Sequence, residues 1–223
     1  MIPLLATTTL HTIDYLKNFI DKIDYPVDRL SILCNSSSID YFVEVTKIKK
    51  NSFVNKIYYS FCPYNMGCSM SWNYHIKMNP HSKYWIIVGD DISFSSGDLE
   101  RANTVAQNNI ISFSKNRTYS FFGISQKCIN KVGFFDENYH PVSHEDDDYN
   151  FRLNTFNINP GYFNFYGSHI GSGSKTNINQ DTKNKFKEAF EKNKIYFNQK
   201  VKNNDISGGS FNFNERSLKT IEF

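Results

Sequence analysis

The chain has 223 residues, 39% of them hydrophobic and 16% aromatic, and a net charge of +3. That size suits one domain with a full core, and charges of both signs spread along the chain exclude the gathered Lys and Arg of a nucleic-acid-binding face. No basic segment followed by an apolar one opens the chain, no stretch reaches membrane-spanning length, and Cys34, Cys62, Cys68 and Cys128 show no zinc spacing, so buried thiols in a cytoplasmic, reducing compartment are expected.

Residues 2–6 read as a first short strand. Residues 11–23 place Ile13, Leu16, Phe19, Ile20 and Ile23 at helical spacing and end before Pro26. Residues 30–34 read as a second strand. The turn Asn35-Ser36-Ser37-Ser38 can cap a helix over 39–48. A strand over 56–61 and a helix over 66–78 follow. The run Tyr84-Trp85-Ile86-Ile87-Val88 is continuously apolar, as in a strand buried on both faces of a parallel sheet. A helix over 97–107 comes next. This alternation predicts an α/β fold with a central, mainly parallel sheet flanked by helices. The second half is less regular. It offers a strand over 118–125, helices over 127–132 and 145–156, an aromatic strand over 161–166 and a long polar helix over 181–202. That last helix sets Phe186, Ala189, Phe190, Phe197 and Val201 roughly on one face, expected to pack on the domain. Docking on an anionic membrane is its second reading. One domain is expected over 1–205, with a turn-rich, loosely packed tail over 206–223.

The apolar run ends in Gly89-Asp90-Asp91. Ligands of open α/β sheets bind beyond the carboxyl ends of such strands, and two carboxylates there could hold a divalent cation and, through it, a diphosphate. A surface turn is the plain alternative. A second acidic cluster runs Ser143-His144-Glu145-Asp146-Asp147-Asp148. Ser143 and Asp146 have the spacing of a capping box, and Asp148 has that of a pair with Arg152. Four successive acids exceed what a cap needs, and crowded carboxylates raise one another's pKa, which suits Asp146 or Glu145 as a general base. His169 lies in a Gly/Ser-rich loop over 166–175 that also carries Lys175, and is a candidate third metal ligand. Asn65-Met66-Gly67 opens the helix that carries Trp72, read as core, and Asn73, a candidate nucleotide contact.

Taken in order, these pieces resemble GT-A glycosyltransferases of the family 2 type. The stretch DYPVDRLSILCNSS (24–37) looks like that family's second strand ending in Asp-Asn-Gly-Ser, and NMGCSMSWN (65–73) is similar to its Asn-x-Gly segment. IIVGDDISF (86–94) resembles its Asp-x-Asp segment, with Gly89 where the first Asp stands. KVGFFDENYHPVSHEDDDYNFRL (131–153) resembles its Gly-x-Phe-Asp-Glu segment followed by Glu-Asp-x-Asp and Arg. In place of the usual Pro-Thr-Tyr-Asn turn after the first strand stands Leu5-Ala6-Thr7-Thr8-Thr9.

The resemblance implies a GT-A, Rossmann-like fold and a nucleoside-diphosphate-sugar donor, UDP-linked by first expectation. It implies a glycan or other hydroxyl acceptor and transfer with inversion. Mn²⁺ or Mg²⁺ would be held by Asp91 and His169 with help from Asp90. Thr7 and Asn35 would face the nucleotide, and the Glu145-Asp146 pair would bind the acceptor and take its proton. Specificity would lie in residues 139–143 and in the region after His169. Two rivals stay open: a degenerate GT-A domain that binds sugars or organises partners, and a nucleotidyltransferase, which would normally show a basic Gly-rich loop after the first strand. The Asn, Lys and Ile bias fits an AT-rich genome. Small domains of this kind occur in large DNA viruses, which would put the protein in the host cytoplasm.

Overall fold

The computed structural model describes residues 1–10, 12–116, 118–169 and 180–209. Its centre is a seven-stranded sheet of order β3-β2-β1-β4-β7-β6-β8. The strands are β1 (Leu5–Thr9), β2 (Val27–Cys34), β3 (Val54–Phe61), β4 (Tyr84–Val88), β6 (Ile111–Ser114), β7 (Phe121–Ser125) and β8 (Gly161–Phe163). β3, β2, β1 and β4 run parallel, as does the β6–β8 pair, while β7 runs antiparallel to both its neighbours. A separate ribbon pairs β5 (Ile92–Ser93) with β9 (Ser168–His169).

The helices are α1 (Ile13–Asp21), α2 (Ile39–Thr46), α3 (Gly67–Lys77), α4 (Asp98–Asn108), α5 (Gln126–Val132), α6 (Glu145–Thr155) and α7 (Gln180–Lys202). They fold for the reasons the pattern gives. α1 buries Leu16, Phe19 and Ile20, three of the four periodic apolar residues it contains, and Ile23 just beyond it is buried as well. Ser38 caps α2 by accepting the Tyr41 N–H at 3.1 Å. β4 is buried throughout and divides between two cores. Tyr84, Ile86 and Val88 join one, and Trp85 and Ile87 join the other, so both faces of the strand are covered.

Several boundaries differ from expectation. β1 starts three residues later than the apolar run suggests and continues through Thr7, Thr8 and Thr9. The strand expected over 118–125 begins with a 3₁₀ turn, Thr118–Ser120, before β7. β6 lies where the sequence pattern indicates no strand, and β8 stops at Phe163.

α7 packs on the domain by polar anchors more than by its aromatic stripe. Asn193 and Lys200 are 1% and 2% exposed, whereas Phe190 and Val201 are 41% and 42% exposed. Asn193 donates to the carbonyls of Val142 and Ser143, both at 3.1 Å. Lys200 Nζ lies 2.7 Å from both Asp136 Oδ2 and Asp148 Oδ1. Arg152 Nε meets Asp148 Oδ2 at 2.9 Å, the i, i+4 pair the sequence indicates. Desolvation pushes the Asp148 pKa up, and the Arg152 and Lys200 charges oppose that. The first residues after α7 are held rather than loose: Ser207 O accepts from Lys200, and Gly209 N–H donates to Phe135 O at 3.0 Å. Among the described residues no helix is long and apolar enough to cross a membrane.

Candidate functional site

A cleft of about 320 Å³ opens at the carboxyl ends of β1, β2 and β4, the usual ligand position for an open α/β sheet. Thr8, Asn35 and the Gly89-Asp90-Asp91 turn line it from the sheet. Cys68 and Trp72 of α3, Tyr119, Pro141, His169 and Phe186 of α7 are among the residues that face it from the other elements.

The turn after β4 is tight. Gly89 N–H donates to Ser120 O at 2.9 Å, and Ile92 N–H donates back to Gly89 O at 3.2 Å. The β5–β9 ribbon then sets Ile92 opposite His169. Asp91 Oδ2 thereby lies 3.1 Å from His169 Nε2, although the two residues are far apart in sequence. His169 belongs to a short strand, not to a flexible loop. Residues 170–179, including Lys175, lie outside the described residues.

A carboxylate oxygen beside an imidazole nitrogen is a donor pair that suits Mn²⁺. No group of three or more His, Cys, Asp or Glu able to hold a metal occurs among the described residues. A cation at Asp91 and His169 would therefore complete its shell with phosphate oxygens and water. Asp90 lines the cleft as well. Desolvation pushes its pKa to about 7, opposed by the Thr9 hydroxyl and reinforced by the Asp91 charge.

Gly89 decides how Asp91 folds back. A Cβ there would stand 2.7 Å from Asp91 Oδ1. Gly89→Ala should turn the Asp91 carboxylate away from His169 and weaken cation-dependent nucleotide binding by about tenfold, the order seen when a ligand loses its support. Calorimetry with and without Mn²⁺ checks this, and unchanged affinity would show that Asp91 does not need its present rotamer.

The acids of α6 follow Pro141 and Val142, which line the cleft, and stand behind that lining. Ser143 does not cap the helix. His144 precedes Glu145 in the left-handed region at φ 68°, with no side-chain cap, and pairs through Nδ1 with Asp147 Oδ2 at 2.8 Å. Ser143 itself is left-handed at φ 88°, so it cannot take the extended conformation of a capping residue. Asp148 is consumed by Arg152 and Lys200. That leaves Glu145 and Asp146. Glu145 is 5% exposed, approaches the cleft residue Cys68, and keeps Oε2 without a partner. Desolvation pushes its pKa to about 7, and the Asp146 charge adds to the rise. Asp146 is half-buried, and its pKa is raised by desolvation and by the Asp147 charge. Its charge also acts on the phenol of Tyr119, which lines the cleft and donates to Asn150 Oδ1 at 2.9 Å.

Glu145 gives stability a pH dependence of definite sign. Its folded pKa of about 7 lies above the ordinary 4.5, so between those values the folded state holds the proton more tightly than the unfolded state. Stability should fall as pH rises from about 4.5 to about 7, by up to about 3 kcal/mol from this group. Asp90 acts in the same direction. Glu145→Gln should flatten part of that slope in thermal melts across this range, and an identical slope in the variant would remove Glu145 as its source.

Two expected nucleotide contacts are placed elsewhere. Asn73 is fully buried; its amide donates to Phe135 O and Glu137 Oε1, both at 2.8 Å, and its Oδ1 accepts from Phe135 N–H. It clamps α3 to the segment after α5. Thr7 is fully buried with its hydroxyl unpartnered, because strand alternation turns its neighbour Thr8 to the cleft. Asn35 does line the cleft, but its side chain is engaged, accepting the Met66 N–H at 2.8 Å and donating to Asn65 at 3.1 Å. Thr8, Cys68, Tyr119 and Phe186 were not expected there. Trp72 packs on Phe135 as a core residue should, at 4.8 Å between ring centroids, and lines the cleft too.

No protein-family model matches the chain, and no curated protein matches it. Solved structures do. The mannosyltransferase PcManGT of Pyrobaculum calidifontis, solved with GDP-Man and Mn²⁺, superposes with a TM-score of 0.59 at 10% identity, over 74% of this chain and 55% of that one. TarS 1–349 of S. aureus, solved with UDP-GlcNAc, gives 0.56 at 14% identity, over 78% of this chain and 61% of that one. The chain thus spans only 55% and 61% of the length of these two neighbours. At such identities the likeness establishes the fold: an α/β GT-A architecture with a mostly parallel central sheet flanked by helices.

Proposed function

We propose that the chain is a glycosyltransferase that moves a sugar from a nucleoside-diphosphate donor to a hydroxyl acceptor, with inversion. One observation carries this reading. A single cleft at the carboxyl end of the sheet gathers the Asp90-Asp91 turn and His169, and directly behind its lining two acids with raised pKa values open α6, Glu145 against Cys68 and Asp146 with its charge acting on Tyr119. The GDP-Man and UDP-GlcNAc bound to the structural neighbours support a nucleotide-sugar as the donor.

In this reading Asp91 and His169 would hold Mn²⁺ or Mg²⁺, whose charge would offset that of the departing diphosphate. Asp90 stays near the nucleotide, and Thr8 and Asn35 shape the wall it meets. Asp146, the more exposed of the two acids, takes the acceptor proton as the hydroxyl attacks the anomeric carbon. Glu145 lies beside it with an unpartnered oxygen, able to hold a proton near neutral pH. Nucleophile and leaving group on opposite sides of one carbon give inversion. The domain would run over 1–205.

Incubation with UDP- and GDP-sugars and Mn²⁺, followed by assay of released nucleoside diphosphate, tests the proposal. Release that needs both cation and acceptor supports it. Nucleotide binding without release would favour a sugar-binding module, the reading that Gly89 keeps open by leaving the acidic segment one carboxylate short.

A further inference from the structure

We propose that Asp98 is a positioning residue for the Asp91–His169 pair, an inference that rests on the glycosyl-transfer reading of the cleft. Asp98 opens α4 and is fully buried. It does not line the cleft. Its two oxygens serve four donors. Oδ2 accepts the N–H of Ser95 at 2.8 Å and of Gly167 at 2.9 Å. Oδ1 accepts the Tyr166 N–H at 3.0 Å and the guanidinium of Arg101.

The positions of those donors matter. Ser95 follows β5, the strand just after Asp91. Tyr166 and Gly167 precede β9, the strand that carries His169. A ribbon of two residues per strand has too few ladder bonds to hold its own register. One buried carboxylate, bonded to the backbone on both sides, supplies what the ribbon lacks. Arg101 reinforces the clamp, with Nε donating to Asn164 O at 3.2 Å and its guanidinium 4.7 Å from the Tyr166 ring centroid. The strands also approach closely: a Cβ at Gly167 would lie 2.1 Å from Ser93 O. Asp98 therefore acts through the backbone, fixing the 3.1 Å meeting of Asp91 and His169 as outer-shell groups fix metal ligands.

The test uses the full chain and two variants. Asp98→Asn keeps the size but turns one acceptor into a donor facing backbone N–H groups. Gly167→Ala keeps the Asp98 carboxylate but forces the strands apart at one of its four donors. Each is followed by hydrogen exchange over residues 92–95 and 166–169, and by titration with UDP and GDP in Mn²⁺ and in chelator. Both variants should speed exchange in those two segments while β1 and β4 keep their protection. Both should weaken nucleotide binding in Mn²⁺ by about tenfold and leave binding in chelator unchanged. A purely structural role would instead lower affinity equally in both conditions, and that result overturns the proposal. So does unchanged exchange. Variants that bind like the wild type in Mn²⁺ overturn this proposal alone. A wild type that binds no tighter in Mn²⁺ than in chelator overturns it together with the reading of the cleft.

Discussion

Replacing Asp146 with Asn should lower glycosyl transfer by about 10²- to 10⁴-fold, the usual contribution of a positioned general base. Nucleotide affinity should stay at the wild-type value, because Asp146 belongs to α6 and the Asp91–His169 pair to the ribbon beyond β4. The amide keeps the size and the hydrogen bond that Asp146 Oδ1 accepts from Asp147 N–H at 3.0 Å. It cannot take a proton. Steady-state rates at saturating donor, with nucleotide affinity measured separately, check the prediction. If Asp146→Asn retains the rate and Glu145→Gln loses it, the base is Glu145, whose pKa of about 7 already suits the role.

Asp91→Asn should show a different pattern. It removes the negative charge from the donor pair, leaving His169 and a weakly ligating amide. Nucleoside diphosphate affinity in Mn²⁺ should fall by at least about tenfold. Affinity in chelator should not change, and transfer should be lost with the cation. The contrast between the variants is the informative result. One acid governs cation-dependent binding and the other governs the rate. Matching losses in both would mean that the two carboxylates act on one common step, or that both variants distort the cleft.

How far the sequence reveals this arrangement depends on whether the signal is local. The apolar run of β4 identifies a two-sided buried strand, and the stripe on α1 identifies its buried face. Both are set by side chains adjacent in the chain. The end of β1 is hidden in the sequence because its last three residues are threonines. Thr7 and Thr9 are fully buried, so β-branched shape outweighs polarity there. β6 leaves no apolar pattern because half of it is serine, and Ser112 and Ser114 are buried between neighbouring strands.

The site divides in the same way. Asp91 and the α6 acids stand out as clusters next to recognisable elements. The partnership of Asp91 with His169 depends on the short β5–β9 ribbon, too brief to leave a periodic pattern. Asn73 looks like a ligand contact by type and position. Its real partner is the backbone of Phe135, 62 residues away, which only the fold brings near. Lys200 is one of many lysines on a polar helix and becomes distinctive only because Asp136 and Asp148 await it in the interior.

Calorimetric titration of the wild-type chain with UDP, GDP and their sugar conjugates, in Mn²⁺ and again in chelator, tests the central claim most directly. The account predicts that one nucleotide class binds, and binds at least about tenfold more tightly with the cation. Equal affinity with and without Mn²⁺, or no binding of any nucleotide, would contradict it and leave Gly89-Asp90-Asp91 as a structural turn.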